Sequence, residues 1–140
     1  MISAVRYEGG CLCGTIRYLS TADEVDAGYC HCKLCRRSTG APVLAWASFP
    51  VEAFAYTSHV PAIYQSSTHG QREFCNRCGT QIAYRDSRSA SMVDVNIGSL
   101  DHGDQIRPRC HIWFRSHIEW FDTDDDLPRH DEDKPENSAP

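Results

Sequence analysis

"GGCLCGTIRYLS", residues 9–20, sets Cys11 and Cys13 one residue apart, follows them with Gly14 and Thr15, and runs on into a stretch rich in β-branched and aromatic residues. A glycine directly after the second cysteine permits a tight turn whose backbone N–H groups point at the thiolate sulfurs and relieve their charge. The same tripeptide, Cys-Gly-Thr, returns at 78–80 in "FCNRCGTQIAYR" (74–85), with Cys75 just upstream and another strand-like run downstream. The echo pairs the two turns. Cys11, Cys13, Cys75 and Cys78 would close a four-sulfur zinc site, tying an amino-terminal strand to a segment some sixty residues later and holding the fold together.

Outward from these turns the chain reads mostly as strand. "TIRYLS" (15–20), "PVLAWASF" (42–49), "VEAFAY" (51–56), "AIYQSS" (62–67), "REFC" (72–75), "QIAYR" (81–85), "MVDVNIG" (92–98) and "HIWF" (111–114) are short runs between Gly, Pro, Ser, Asp and His. Alternation is clearest in "MVDVNIG", where Val93, Val95 and Ile97 share a face opposite Met92, Asp94 and Asn96. Only "CKLCRRSTG" (32–40) reads as a turn or short helix, ended by Gly40. The expectation is an all-β fold of two packed antiparallel sheets with zinc knuckles.

The 140 residues, 41% hydrophobic and 24% charged, suit one self-sufficient domain. The formal charge of −5 is unevenly spread. From Asp122 to Pro140 eight acidic residues face two basic ones, while the remaining body carries 12 basic and 11 acidic residues. A nearly neutral body gives no electrostatic footprint for nucleic acid. The expected division is a domain over 1–129 and an acidic, disordered tail over 130–140. No apolar run approaches the ~20 residues of a membrane span. "MISAVRYEGG" lacks the basic stretch and apolar core of a secretory signal, which makes the expected compartment cytoplasmic and reducing.

Eight cysteines in a reducing compartment call for something other than disulfides. Zinc is the default metal for such sulfur-rich clusters, with iron open on ligands alone. With the outer pairs assigned to one ion, "YCHCKLCRRSTGAP" (29–42) holds Cys30, Cys32 and Cys35 as a triple. Three protein ligands and one free position are the arrangement of catalytic zinc. Cys110, His111, His69 or His31 are the residues that would close the position instead, and the spacing alone leaves this open. Arg36 and Arg37, directly after the triple, are candidates to pair with a substrate carboxylate, against a reading as solvated turn residues. His31 and His111 are candidates to move protons, against a reading as hydrogen-bonded structural histidines. Trp46, Trp113 and Trp120 read first as core aromatics.

In "GGCLCGTIRY", "CHCKLCRRSTGAP", "FCNRCGTQIAY", "VNIGSLD", "HIWF" and "WFDTDDDLP" the chain resembles the glutathione-dependent formaldehyde-activating (GFA) family, whose domain is shared with centromere protein V. The resemblance runs from about Tyr7 to Arg129. It implies two antiparallel sheets, a structural zinc on Cys11, Cys13, Cys75 and Cys78, and a second, catalytic zinc on Cys30, Cys32 and Cys35 that need not be fully occupied. It further implies a carbon–sulfur lyase activity joining a small-molecule thiol, glutathione, to a small aldehyde, formaldehyde. The related centromere protein keeps a second reading open, a non-catalytic zinc-stabilised binding module. A redox-sensing thiol triple is a third. Two positions depart from the family pattern: Cys110, read as a small buried hydrophobe, and Glu119 where a proline often precedes Trp120.

Overall fold

A computed structural model describes residues 4–135 of the chain. The ten strands are β1 (Tyr7–Gly10), β2 (Arg17–Ser20), β3 (Asp26–Cys30), β4 (Leu44–Pro50), β5 (Phe54–Tyr56), β6 (Ala62–Gln65), β7 (Gly70–Phe74), β8 (Gln81–Asp86), β9 (Met92–Asn96) and β10 (His111–Ile112). They form a three-stranded sheet in the order β1-β2-β5 and a seven-stranded sheet in the order β10-β3-β4-β9-β8-β7-β6. Every pairing is antiparallel except β10 with β3, which is parallel. That one parallel pair is the departure from the expected architecture. No helix among the described residues is long and apolar enough to cross a membrane.

The period-2 pattern explains which face of the large sheet is the core. Ala27, Ala47, Val95 and Ala83 are cross-strand neighbours on β3, β4, β9 and β8, and all four are fully buried. Three alanines in that row leave room for the large aromatics of the small sheet, Tyr18 and Phe54, whose rings sit 5.4 Å apart. Burying a Val93- or Ile82-sized side chain contributes roughly 1.5–3 kcal/mol, so this inter-sheet layer carries much of the fold's stability. The expected face of Val93, Val95 and Ile97 points into it.

The opposite face is polar. Asp26, Ser48, Asp94, Tyr84, Arg72 and Tyr64 follow one another across β3, β4, β9, β8, β7 and β6 as a transverse row in register. Polar groups aligned on the second face of an internal sheet need something to meet, and here they meet a cavity and one helix. That helix, α1 (Lys33–Thr39), starts where the Cys32 sulfur accepts from Cys35 N–H at 3.2 Å. It stops at Gly40, whose φ of 69° suits a left-handed cap and whose N–H donates to the Arg36 carbonyl.

Several boundaries differ from expectation for local reasons. "VEAFAY" divides into a 3-10 turn, Val51–Ala53, and the short β5. "HIWF" yields only two paired residues because Trp113 turns the chain with φ 54°. Beyond β10, Glu132 and His130 carbonyls accept from Trp113 and Phe114 N–H at 3.0 Å, and Lys134 pairs with Asp26. The start of the expected acidic tail thus lies along the sheet edge; residues 136–140 lie outside the described residues.

Candidate metal centres

The two Cys-Gly-Thr turns close on one another. Cys11, Cys13, Cys75 and Cys78 place their sulfurs within 4.8 Å of one another, with Cys11 to Cys13 at 3.6 Å and Cys13 to Cys75 at 3.8 Å. A tetrahedron with zinc–sulfur bonds of ≈ 2.3 Å has edges of about 3.8 Å, which these two separations match. Gly14 and Gly79 adopt φ of 82° and 81°, the left-handed conformation their turns need. Ile16 N–H donates to the Cys11 sulfur at 3.2 Å, and Arg77 and Cys78 N–H groups donate to Cys75 at 3.4 Å. The threonines have a role as well. Thr15 and Thr80 hydroxyls lie 3.2 Å from the Cys13 and Cys78 sulfurs, drawing Cys13 below the ordinary thiol range and Cys78 down to about 5.

The triple is assembled from a strand end and a helix start. Cys30 ends β3, Cys32 caps α1 and Cys35 lies in its first turn, which brings three sulfurs within 4.8 Å of one another. Hydrogen bonds from Cys30 and Cys35 hold the Cys32 thiol well below its usual range, and the same contact with Cys32 pushes Cys30 up. Among the described residues no fourth sulfur, imidazole or carboxylate joins the group. Cys110 is buried beside it, against Gly28 and among Leu44 and Trp46, with its thiol pushed up by burial. His69 sits at the β6–β7 hairpin against Ser87.

All three cysteines line a cavity of ≈ 730 Å³ that opens over the polar face of the large sheet. Cys30 pairs with Leu44 and Asp94 with Ser48, four residues further along β4. At the rise of an antiparallel strand that is about 13 Å, so the triple and Asp94 stand towards opposite ends of the cavity. Asp94 accepts from the Ser48 hydroxyl, has no cation at ion-pair distance among the described residues, and is pushed up to about 6 chiefly by burial. Lys33 is exposed at the rim beside the triple.

The other site residues expected from sequence are distributed differently. Arg36 turns back, its Nε donating to the His31 carbonyl at 3.3 Å. Arg37 lines a separate depression of ≈ 450 Å³ with Leu34, Tyr64 and Phe74. His31 is fully buried on the side away from the cavity, its Nε2 2.8 Å from Nδ1 of His111, whose Nε2 lies 3.1 Å from Asp125. Burial first, then His111, draws His31 down to about 4, so its imidazole stays neutral there. Arg72 was not singled out by the sequence. It is 6% exposed and directs Nη2 and Nη1 at the Cys35 sulfur from 3.7 and 3.9 Å.

With this geometry in hand, known proteins supply the lineage. The model of the family "Glutathione-dependent formaldehyde-activating enzyme" matches residues 6–116. The chain belongs to this family. It is 30% identical over 91 residues to an uncharacterized lyase of Schizosaccharomyces pombe, a match spanning 64% of this chain and 66% of the yeast protein. It is 26% identical to a Halomonas elongata protein provisionally named a glutathione-dependent formaldehyde-activating enzyme, over 82% of this chain and 79% of that one. A crystal structure of a Rhodobacter sphaeroides protein, 25% identical, superposes with a TM-score of 0.54 over 73% of this chain and 92% of the other.

Proposed function

We propose that this GFA-family chain is a zinc-dependent, carbon–sulfur lyase-like enzyme. It adds a thiol such as glutathione to a small aldehyde such as formaldehyde, or cleaves a related adduct. In this reading Cys11, Cys13, Cys75 and Cys78 hold a structural zinc, and Cys30, Cys32 and Cys35 a catalytic one. Zinc at the triple would supply acidity for an incoming thiol and polarisation for an aldehyde oxygen. One sulfur–carbon bond forms, and the thiol proton ends on the former carbonyl oxygen.

The chain's own residues bind and orient. The triple fixes the reacting end at one side of the cavity, which removes much of the entropic barrier to a two-reactant step. Lys33 at the rim offers a cation for a carboxylate, the role first expected of Arg36 and Arg37, and Asp94 offers a carboxylate for an ammonium group some 13 Å away. A peptide-sized zwitterionic thiol suits that spacing. A cytoplasmic setting, where thiols stay reduced, suits the chemistry.

The observation that carries the reading is a three-sulfur cluster on a cavity wall with no fourth protein ligand among the described residues. The test is exchange NMR on glutathione and formaldehyde with zinc-loaded protein. The expected result is exchange between free and hydroxymethylated thiol faster than the uncatalysed rate, lost in Cys32→Ala. No acceleration by the zinc-loaded wild type would overturn the proposal and favour a binding module.

A further inference from the structure

Arg72 poses a charge problem. A buried guanidinium without an anion is strongly unfavourable, and such groups are found paired. Its neighbours include the Ser66 hydroxyl at 3.2 Å from Nε, the Ser38 hydroxyl at 3.3 Å and the Gln81 amide oxygen at 3.2 Å from Nη1, and the Tyr84 ring centroid 4.9 Å from the guanidinium carbon. All are neutral. The adjacent carboxylate, Glu73, is taken by Arg85 at 2.7 Å and by the Tyr56 hydroxyl at 2.6 Å. What remains is Cys35, approached by both terminal nitrogens.

The arithmetic of the centre is complementary. Three thiolates on a divalent ion carry one net negative charge, and a fourth thiolate would add another. One fixed guanidinium brings the resting centre to neutrality, so the second anion arrives against no net charge. We infer that Arg72 is the charge-compensating residue of the Cys30, Cys32 and Cys35 centre, and that it makes this centre prefer an anionic fourth ligand, a thiolate, over a neutral one. The inference rests on the reading of the triple as an open zinc site. Arg72 acts through Cys35 and is a positioning residue. It is held for that role by two serines and an aromatic ring from α1, the segment after β6, and β8, and its strand register places it in the polar row between Tyr84 and Tyr64.

A purely mechanical role, stapling β7 to α1 through Ser38, would need no charge selectivity. Cobalt(II) in place of zinc separates the two. The probes are 2-mercaptoethanol, which binds as a thiolate and carries no other charge, and imidazole, which binds neutral; the readout is the sulfur-to-cobalt charge-transfer and ligand-field bands, titrated in wild type, Arg72→Gln and Arg72→Lys. With an effective dielectric near 20 and a separation of about 6–8 Å between the guanidinium and an incoming sulfur, Arg72→Gln should weaken thiolate binding roughly 30- to 100-fold. Imidazole binding should change by less than about 3-fold, and Arg72→Lys should keep the wild-type ratio within a few-fold. Equal loss for both ligands in Arg72→Gln would overturn the inference. If Arg72→Gln does not retain the second cobalt, Arg72→Lys decides: a retained ratio supports charge compensation, a collapsed one refutes it. A wild-type protein that binds neither probe at the triple removes the open-site reading itself, and this inference with it.

Discussion

Replacing one sulfur in each cluster should separate their roles, and the size of the difference follows from chain connectivity. Cys13 and Cys75, whose sulfurs are 3.8 Å apart, are 62 residues apart in sequence, so an ion shared by them closes a long loop between the two sheets. Treated as a cross-link, a loop of that length contributes about 4 kcal/mol through the unfolded chain. For a domain of this size each kcal/mol moves the midpoint by about 2–4 °C, so Cys75→Ala should lower Tm by about 8–16 °C. Cys30 and Cys35 bracket a loop of a single turn, for which the same relation gives about 2 kcal/mol. Cys32→Ala also removes the helix cap, about 1 kcal/mol, and its Tm should fall by about three quarters as much as that of Cys75→Ala. The assay is thermal unfolding followed by near-ultraviolet circular dichroism on zinc-loaded protein, with bound zinc measured on the same samples. Cys75→Ala should lose the more stable ion and Cys32→Ala the other. A Cys32→Ala variant as unstable as Cys75→Ala, or a Cys75→Ala variant with unchanged Tm, would refute the division into structural and reactive clusters.

Three further outcomes are expected. Asp94 has its pKa raised to about 6 by burial, above its unfolded value of about 4, so its favourable contribution is fully present below pH 4 and is lost as pH rises through 6. Asp94→Asn should therefore stabilise the fold relative to wild type at pH 8 by an amount on the order of 1–2 kcal/mol, read as a higher Tm, and the gain should vanish near pH 4; a gain that grows on acidification contradicts the assignment. Gly79→Ala places a side chain at φ 81° with open space around it, so strain alone should cost about 1 kcal/mol and weaken zinc retention at the first cluster, read by competition with a chelator. Glu73→Gln weakens the buried contact to Arg85 and should destabilise by roughly 1–3 kcal/mol in urea, with no change in bound zinc.

What the sequence made legible was what is encoded locally. The Cys-Gly-Thr turns are short, covalently contiguous units, and their similarity links them although sixty residues separate them. Strands such as β9 announce themselves because one face is buried and the other is not. β3 gave no such signal, since "DAGYC" is small where neighbours fill the space: a Cβ on Gly28 would stand 2.7 Å from the Trp46 ring and 2.9 Å from the Cys110 sulfur. β1 is similar, with Gly9 facing the Tyr18 hydroxyl. Arg36 and Arg37 drew notice by adjacency to the triple, yet the helix carries one back to the His31 carbonyl and the other to a different depression. Arg72 lies 37 residues from Cys35 and meets it only through sheet register and the placement of α1, a relation with no local signature. The histidine pair is of the same kind: His31 and His111 meet because β10 joins β3 in parallel.

The central claim is that the Cys30, Cys32 and Cys35 centre accepts a ligand from outside the chain. Crystals of zinc-loaded protein soaked in glutathione test it directly. The account predicts an ion on these three sulfurs with a fourth, glutathione sulfur at a bonding distance of about 2.3 Å. An ion there whose fourth ligand is a side chain of the protein, Cys110 for instance, and which glutathione does not displace, would contradict it.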